Sequence, residues 1–529
     1  MKRLLIAATL LLPHATASAD IFQWEYIDPA HPELGKQEST VLCPDGAGVV
    51  ANISASLDNR DLTKAYMSDL SLSYATFANS NLSQAYLAGS RLGDAILTNA
   101  NLSQADLSFA SFWGAPLTGA DLSGAHIRGA LLYNTTSQPV ISNAQLFSTA
   151  SYQEGDLRDI QFHFYNLDDI DFAGMNLSRA GFSYASMINA NLQSVNMQEG
   201  GANNSNLTGA NLSQADLRYF SFVEVDLTGA NLHSADLRGT HFFNSNLTGV
   251  DFSASNIRGA RFAFSLVTTE QFTSPASYQA RDLQGIQLHF GELSGINLSR
   301  QNLSDSDLYG TNFTGADLSG ANLQRALVQY ANFSGANLNA TDLRGLNEFG
   351  ATFSGAITYN AIHPDGEIFG LGLGDLFPVW LPRDLVVRDI VPLPWPGSIY
   401  VTQQFRVMPG GTLRLVFDDD GWGSLISLFT SDIELGGTLE LTFAPDVDVA
   451  SQVGMTFDLF DWNGHYSESA GMFHVVSPYK WDLSKLYTTG EVRLLGVPEP
   501  GFGPFVVLCF GALLVQRSFG YRGRTSARA

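Results

Sequence analysis

Few residues in this chain have the types and spacings that do chemistry. His163 and His289 sit in matching surroundings, each followed by a phenylalanine, Phe164 or Phe290. Paired histidines can hold a metal or move a proton. These two stand one position after a large apolar residue, an outward position, and a structural or solvated role is expected for them. Asp418, Asp419, Asp420 and Gly421 form a fragment of a calcium loop. Such loops space their acids at alternate positions and add a distal bidentate acid, so an acidic turn is the better reading. Trp462, His465, His474 and Trp481 are of the types that line sugar sites, but scattered aromatics in a sheet domain are usually core. Cys43 and Cys509 are the only cysteines, which excludes a disulfide framework. Cys43 reads as a buried packing residue, with a reactive thiol as the alternative. No glycine-rich loop follows a strand, no His pair shares a helix face, and no nucleophile elbow is present. The expectation is a non-enzymatic protein with no catalytic residue, no cofactor and no metal.

What holds these residues is a repeat of five. Between Ala95 and Leu132 every fifth residue is large and apolar, as at Leu97, Leu102, Leu107 and Phe112. Two residues before each stands a small one, as at Ala95, Ala100, Ala105 and Ala110. A period of five fits neither a helical stripe nor strand alternation. The large position is filled from Leu57 to Leu132, in the same phase from Leu157 to Val267 with a weak member at Ala202, and from Leu283 to Phe353 one residue out of phase. Those blocks hold 16, 23 and 15 units, the last broken at Glu348. Phenylalanines at large positions recur at twenty-residue steps: Phe222, Phe242 and Phe262, and again Phe313, Phe333 and Phe353. Twenty residues per coil would stack like rings between coils.

Units such as Ala105-Asp106-Leu107, Ala210-Asn211-Leu212 and Ala316-Asp317-Leu318 resemble the pentapeptide-repeat family. The resemblance implies an all-β fold, a right-handed quadrilateral β-helix with four pentapeptides per coil and a filled interior. It also implies one family activity, the protection of gyrase by an acidic rod of duplex-like width. The chain is acidic, with a net charge of −23.

The remaining segments are read in order. Residues 1–19 have the form of a signal peptide: Lys2 and Arg3, an apolar Leu4 to Leu12, and a small-residue exit at Ala17 and Ala19. Residues 20–52, where Phe22, Trp24 and Tyr26 alternate, are expected to cap the solenoid of 53–362. Interruptions near 133–152 and 268–282 are copies, with Ser142 and Gln145 matched by Thr268 and Gln271. Each pair fits a capping box and predicts a short helical turn bulging from the rod. Residues 363–396, with Pro378, Pro382, Pro392 and Pro394, read as a cap and stiff linker. In 397–496, alternating runs such as Thr412 to Phe417 and Thr438 to Phe443 predict a small antiparallel β-sandwich-like module. The stretch 497–529 carries Val497, Pro498, Glu499 and Pro500, an apolar segment 502–515, then Arg517, Arg522, Arg524 and Arg528. That order resembles the PEP-CTERM sorting signal, which implies an exosortase as partner. The apolar run is short for a membrane span.

Together these readings predict an exported protein, sorted to the cell surface or extracellular matrix, whose rod serves as spacer or binding face. Exosortase, extracellular polysaccharide or surface proteins are the expected partners, with transient or permanent membrane association through 502–515 and no nucleic acid. A topoisomerase-binding duplex mimic is the alternative, and export argues against it. A carbohydrate-binding or enzymatic role of the C-terminal module is a further alternative.

Overall fold

The computed structural model describes residues 20–133, 140–368, 371–373, 384–388, 399–417, 422, 424–444 and 447–497. Five-residue steps become straight walls because each unit ends in a left-handed residue. The residue two after the large one holds φ near +60°, as at Asn59 (58°), Gln104 (57°) and Tyr184 (57°). L-residues adopt that region at a cost of roughly 1–2 kcal/mol. Hydrogen bonds between coils offset it. Leu57 N donates to Thr76 O at 2.8 Å, and Thr76 N to Ala55 O at 2.8 Å. Bridges such as Ser56↔Thr76, Asp61↔Asn81, Tyr66↔Tyr86 and Ser71↔Arg91 each join residues 20 apart in parallel. A coil therefore takes twenty residues, or four units.

Large and small positions both point inward, and Leu107, Phe112, Ala105 and Ala110 are all buried. The phenylalanine rings stack from coil to coil as their spacing predicts. Phe222 and Phe242 lie 5.1 Å apart at 4°, and Phe333 and Phe353 lie 5.0 Å apart at 3°. The weak member Ala202 has a compensation. Phe220 occupies a small position, is fully buried, and packs 4.6 Å from Phe222, the residue that registers on Ala202. Its ring fits because the coil below has Gly200 in place of alanine: a Cβ there would lie 3.0 Å from Phe220 Cε2.

At the interruptions the ladder steps from Leu131 to Gln161 and from Arg261 to Gln287, excesses of ten and six over a coil. Ten preserves the phase of five and six shifts it by one, which explains the slip in the third block. Helices α1 (Asn143–Ser148) and α2 (Ala150–Gln153) fill the first gap; α3 (Thr269–Thr273) and α4 (Ala276–Gln279) fill the second. Both capping boxes form. The expected bulge is instead a replacement of wall. Leu146 and Phe272 are buried in the core. Gln145 Nε2 donates to Leu117 O and Ala120 O at 2.7 and 2.9 Å, and Gln271 Nε2 to Leu247 O and Val250 O at 2.7 and 3.1 Å. The glutamines supply donors to Ala120 O and Val250 O, carbonyls of the kind that pair with the next coil elsewhere in the rod, and a second donor to Leu117 O and Leu247 O, which also accept from Ala120 N and Val250 N.

Strands β1 (Phe22–Tyr26) and β2 (Lys36–Leu42) form an antiparallel pair. Trp24 N donates to Lys64 O and Tyr66 N to Phe22 O, so β1 extends the first coils' ladder. The pair also leans along the rod, with Trp24 Nε1 donating to Gln84 O at 2.6 Å.

The C-terminal module overturns the expected antiparallel sandwich. Glu367–Ile368, Ile399–Val401, Ile426–Leu428 and Phe460–Asp461 form one parallel sheet. Leu371–Leu373, Phe405–Val407 and Ile433–Leu435 form a second. Asp384–Arg388, Thr412–Phe417, Thr438–Phe443 and His474–Val476 form a third. The chain visits the three in rotation, so this is a second coil, three-sided, whose first turn uses strands from the supposed linker 363–396. The alternation itself is real, since Leu413, Leu415 and Phe417 point inward over Leu439, Leu441 and Phe443. Alternation does not distinguish parallel from antiparallel pairing. Within this module, antiparallel pairing among the described residues occurs in a three-stranded sheet of Thr456–Asp458, Glu491–Gly496 and Lys480–Asp482.

Candidate functional site

With large and small residues turned inward, the outward positions of each unit form four walls of different chemistry. One wall carries Asp and Arg. Arg218 reaches Asp216 at 2.8 Å and Asp236 at 3.7 Å; Arg238 reaches Asp236 at 2.6 Å. Asp159 is held between Arg128 and Arg179, and hydrogen bonds from Arg179 keep its carboxyl below the usual range. Both ends of this wall are covered. At the start, Lys36 Nζ lies 4.2 Å from the Trp24 ring and 3.7 Å from Asp106. At the far end, Arg344 and Asp342 are buried as a 2.7 Å ion pair, and Arg344 also donates to Ser424 Oγ and Arg388 O, both at 2.9 Å. Two walls are ladders of Asn, Asp, Ser and Thr. Asn101 Nδ2 donates to Asn81 Oδ1 at 3.1 Å, while Asn101 Oδ1 accepts from Ser103 N at 3.0 Å.

The fourth wall is aromatic. Its inward residues include Phe162, Phe182, Phe222, Phe242 and Phe262, and its three-residue steps form the parallel sheet of Gly201–Asn203, Ser221–Val223, His241–Phe243 and Arg261–Ala263. Outside, Trp113 stacks on Tyr133 at 4.0 Å and Phe164 on Tyr184 at 4.6 Å. Further along, Phe290, Tyr309, Tyr330 and Phe349 follow one another at 5.5, 5.4 and 5.7 Å, edge to face. Tyr184 and Tyr330 are each 52% exposed and Phe349 69%. A shallow hollow of about 310 Å³ opens beside the second interruption, lined by Phe264, Leu266, His289, Phe290 and Glu292 among others. From Tyr74 to Phe349, charge on this wall is sparse: Arg91, Asp94, Glu224, Arg261, Asp307 and Glu348.

The residues singled out from sequence fall as follows. His163 and His289 both stand on the aromatic wall but several coils apart, so they share no site. His163 lies 5.4 Å from Tyr133, and burial holds its pKa below the ordinary value. His289 Nε2 is 2.7 Å from Asp307 Oδ2. Cys43 is buried, and burial followed by the charge of Asp61 pushes its thiol up to about 12, which makes it a packing residue. Trp462 is buried, with Nε1 donating to Leu486 O at 2.8 Å, and Trp481 packs on Phe443 while its Nε1 donates to Ser477 Oγ. His465 and His474 are exposed, and His465 meets Trp462 through its backbone, His465 N donating to Trp462 O at 2.8 Å. Asp418 to Gly421, Ala17, Ala19, Pro498, Glu499, Pro500 and the segment 502–515 lie outside the described residues; Val497 is described and exposed. Among the described residues no cluster of three His, Cys, Asp or Glu could hold a metal, and no helix is long and apolar enough to cross a membrane. The aromatic wall escapes a twenty-residue comb applied to inward positions only. Applied one and two residues later, the comb finds Trp113, Tyr133, His163, Phe164 and Tyr184 in the sequence.

Pentapeptide repeats match in eight copies, over residues 85–124, 95–134, 156–197, 205–244, 235–265, 282–320 and 316–357. No curated protein matches the chain. Among solved structures, the chain is similar to HetL, a pentapeptide repeat protein involved in heterocyst differentiation regulation in the cyanobacterium Nostoc sp. strain PCC 7120. Identity there is 22%, over 60% of this chain and 99% of that one, with a TM-score of 0.20. It is also similar to full-length QnrB1, a plasmid-mediated fluoroquinolone resistance protein, at 13% identity over 54% and 92% of the two chains, with a TM-score of 0.16. A pentapeptide repeat protein of the Arabidopsis thaliana thylakoid lumen is 29% identical over 21% and 72%, with a TM-score of 0.14. The twenty-residue bridges, the left-handed turns at five-residue steps and the matched copies agree: the coil of this chain is built of pentapeptide repeats.

Proposed function

We propose that this chain is a non-enzymatic, exported and surface-sorted protein whose right-handed quadrilateral rod acts as a spacer or binding face. The observation that carries the reading is the filled interior. Inward residues along the rod, from Leu57 to Leu338, are buried against one another, so the chemistry on offer is that of the walls. Export is supported by the sequence of the two ends. Lys2, Arg3 and the Ala17-Ser18-Ala19 exit suit secretion, and Pro498-Glu499-Pro500 with its apolar segment and arginines suits retention at the inner membrane until an exosortase acts. Cell fractionation with mass spectrometry of the termini tests this. The expected product lies outside the inner membrane without residues 1–19 and without the basic tail. An intact chain recovered from the cytoplasm, still carrying Lys2 and Arg528, refutes it.

The charge of −23 favours a second reading, an acidic rod that replaces duplex nucleic acid on a topoisomerase. The charged wall works against it. A duplex mimic needs uncompensated negative charge along its length; on this wall Asp156, Asp159, Asp216 and Asp236 are each paired with arginine, and the excess acids stand on other walls, as at Asp121, Asp171 and Asp251.

A further inference from the structure

We propose that the C-terminal half of the aromatic wall binds a linear, uncharged glycan, laid along the rod on Phe290, Tyr309, Tyr330 and Phe349. The proposal rests on the reading of the rod as a binding face and names its ligand. The first observation is ring orientation. In the N-terminal half the exposed rings lie face on face, Trp113 on Tyr133 at 3° and Phe164 on Tyr184 at 2°, so much of each face is already covered. From Phe290 onward the interplanar angles are 82°, 63° and 88°, and such edge-to-face pairs leave more ring face open, with Phe264 lying 6.2 Å from Phe290 at 29° on its other side. Glycines make this possible. Phe290 Cδ1 lies 2.7 Å from where a Cβ on Gly310 would stand, and Tyr330 Cδ1 lies 2.8 Å from that of Gly350. Each ring thus tips into a gap in the next coil where no second ring can stack on it.

The second observation is charge. The chain carries −23 overall, yet these four positions and the turns beside them hold few charges: Asp307, paired with His289, Glu292 and Glu348. Amphipathic rings with little charge around them suit an uncharged, hydroxyl-rich polymer. An acidic polymer, or a second copy bringing another −23, would meet repulsion. Area points the same way. Phe290 and Tyr330, each 52% exposed, and Phe349, 69% exposed, together with the less exposed Tyr309 offer roughly 400 Å², about half of what a standard protein interface buries on each partner. A narrow strip along a rod fits a chain laid lengthwise.

Titration calorimetry on the purified full-length chain tests this with cellohexaose, laminarihexaose and maltohexaose as neutral probes and polygalacturonate as an acidic one. Saturable binding of at least one neutral hexasaccharide is expected. Tyr330→Ala and Phe349→Ala should each weaken it about tenfold, while Tyr184→Ala, in the stacked half, leaves it unchanged and Tyr330→Phe retains it. Binding of none of the neutral probes overturns the proposal, as does tighter binding of polygalacturonate or an equal loss in Tyr184→Ala. Self-association that disappears on Tyr330→Ala makes a second copy the occupant and overturns it too. A chain found in the cytoplasm that still binds the neutral probe through Tyr330 fails the export reading and leaves this one standing.

Discussion

Phe220 and Ala202 have exchanged roles, and the exchange can be reversed. In the ordinary unit a small residue precedes a large one; here the large position holds Ala202 and the small position one coil on holds Phe220, both fully buried. Phe220→Ala removes a ring from a site that cannot collapse, because neighbouring coils fix the walls. Such truncations cost about 3–5 kcal/mol. Ala202→Leu inserts three carbons beside a ring that already packs on Phe222 at 4.6 Å, an overpacking worth about 1–3 kcal/mol. If the two residues fill one space, the costs do not add. Phe220→Ala with Ala202→Leu restores the consensus at both positions, and the double variant should lie above Phe220→Ala alone. Additivity would place it about 4–8 kcal/mol below the parent; coupling should recover about 3 kcal/mol of that, more than the cost of Ala202→Leu alone. Hydrogen exchange at the amides of residues 200–222 is the assay, since a long repeat array opens locally and a global melt need not report one coil. A double variant whose amides exchange as fast as additivity requires would refute the shared space.

Leu107→Asp should unfold neighbouring coils, because Leu107 is buried and a carboxylate there meets no partner, while Gln104→Asp, at an exposed turn, should change the melt little; alike melts would overturn the register. Arg344→Ala leaves Asp342 buried without its guanidinium, a loss of about 3–5 kcal/mol, and should expose the C-terminal module to limited proteolysis ahead of the rod. Arg179 holds the Asp159 carboxyl below its unfolded value, so its contribution is complete above the unfolded pKa near 3.8 and is lost as pH falls through the folded one; Arg179→Gln should shrink that acid-range dependence in melts between about pH 5 and 2. Gly295 and Gly310 share φ of +68° and +65°, but a Cβ meets nothing at Gly295 and the Phe290 ring at Gly310, so Gly310→Asn should be less stable than Gly295→Asn by about 1 kcal/mol in urea titrations.

How much of this is legible in the sequence depends on what the sequence encodes. Leu at every fifth position with alanine two before it encodes burial, and every such residue named from sequence between Ala95 and Phe112 is buried. The phenylalanine comb encodes the coil length, because like rings stack at twenty residues. The capping boxes encode helix starts, since Ser142 and Thr268 each accept from the amide three residues on. They do not encode where the helix sits. That depends on Gln145 and Gln271 reaching carbonyls in the preceding coil, a contact more than twenty residues away in sequence. The parallel C-terminal coil is hidden for a related reason. Its alternation is local, but its pairing recurs at anything from 26 residues, as in Leu413 and Leu439, to 36, as in Thr438 and His474, without a constant period.

The change from four walls to three follows from the turn. A pentad wall is short because a left-handed residue ends each unit, and the last of these on the rod is Asn360, at 56°. Beyond it the chain has Ile399-Tyr400-Val401 and Thr412 to Phe417, whose β-branched residues resist the left-handed region; no Val, Ile or Thr among the described residues adopts it. Without a corner every five residues the walls lengthen to strands of up to six, and fewer walls close a coil. The join is possible because the spacing between parallel neighbours is the same in both shapes, roughly 4.8 Å. The rod's ladder ends at Asp342↔Ile362, and five residues later Glu367 pairs with Tyr400. Ala340, at an outward corner of the rod, and Ile362 pack into the three-sided core and not the four-sided one, so the module's core reaches onto the rod's last coils. What fixes the pair laterally is polar: Arg300 to Asp384, and Arg344 to Ser424 and Arg388. The rod therefore ends in a module that is both its continuation and its cover.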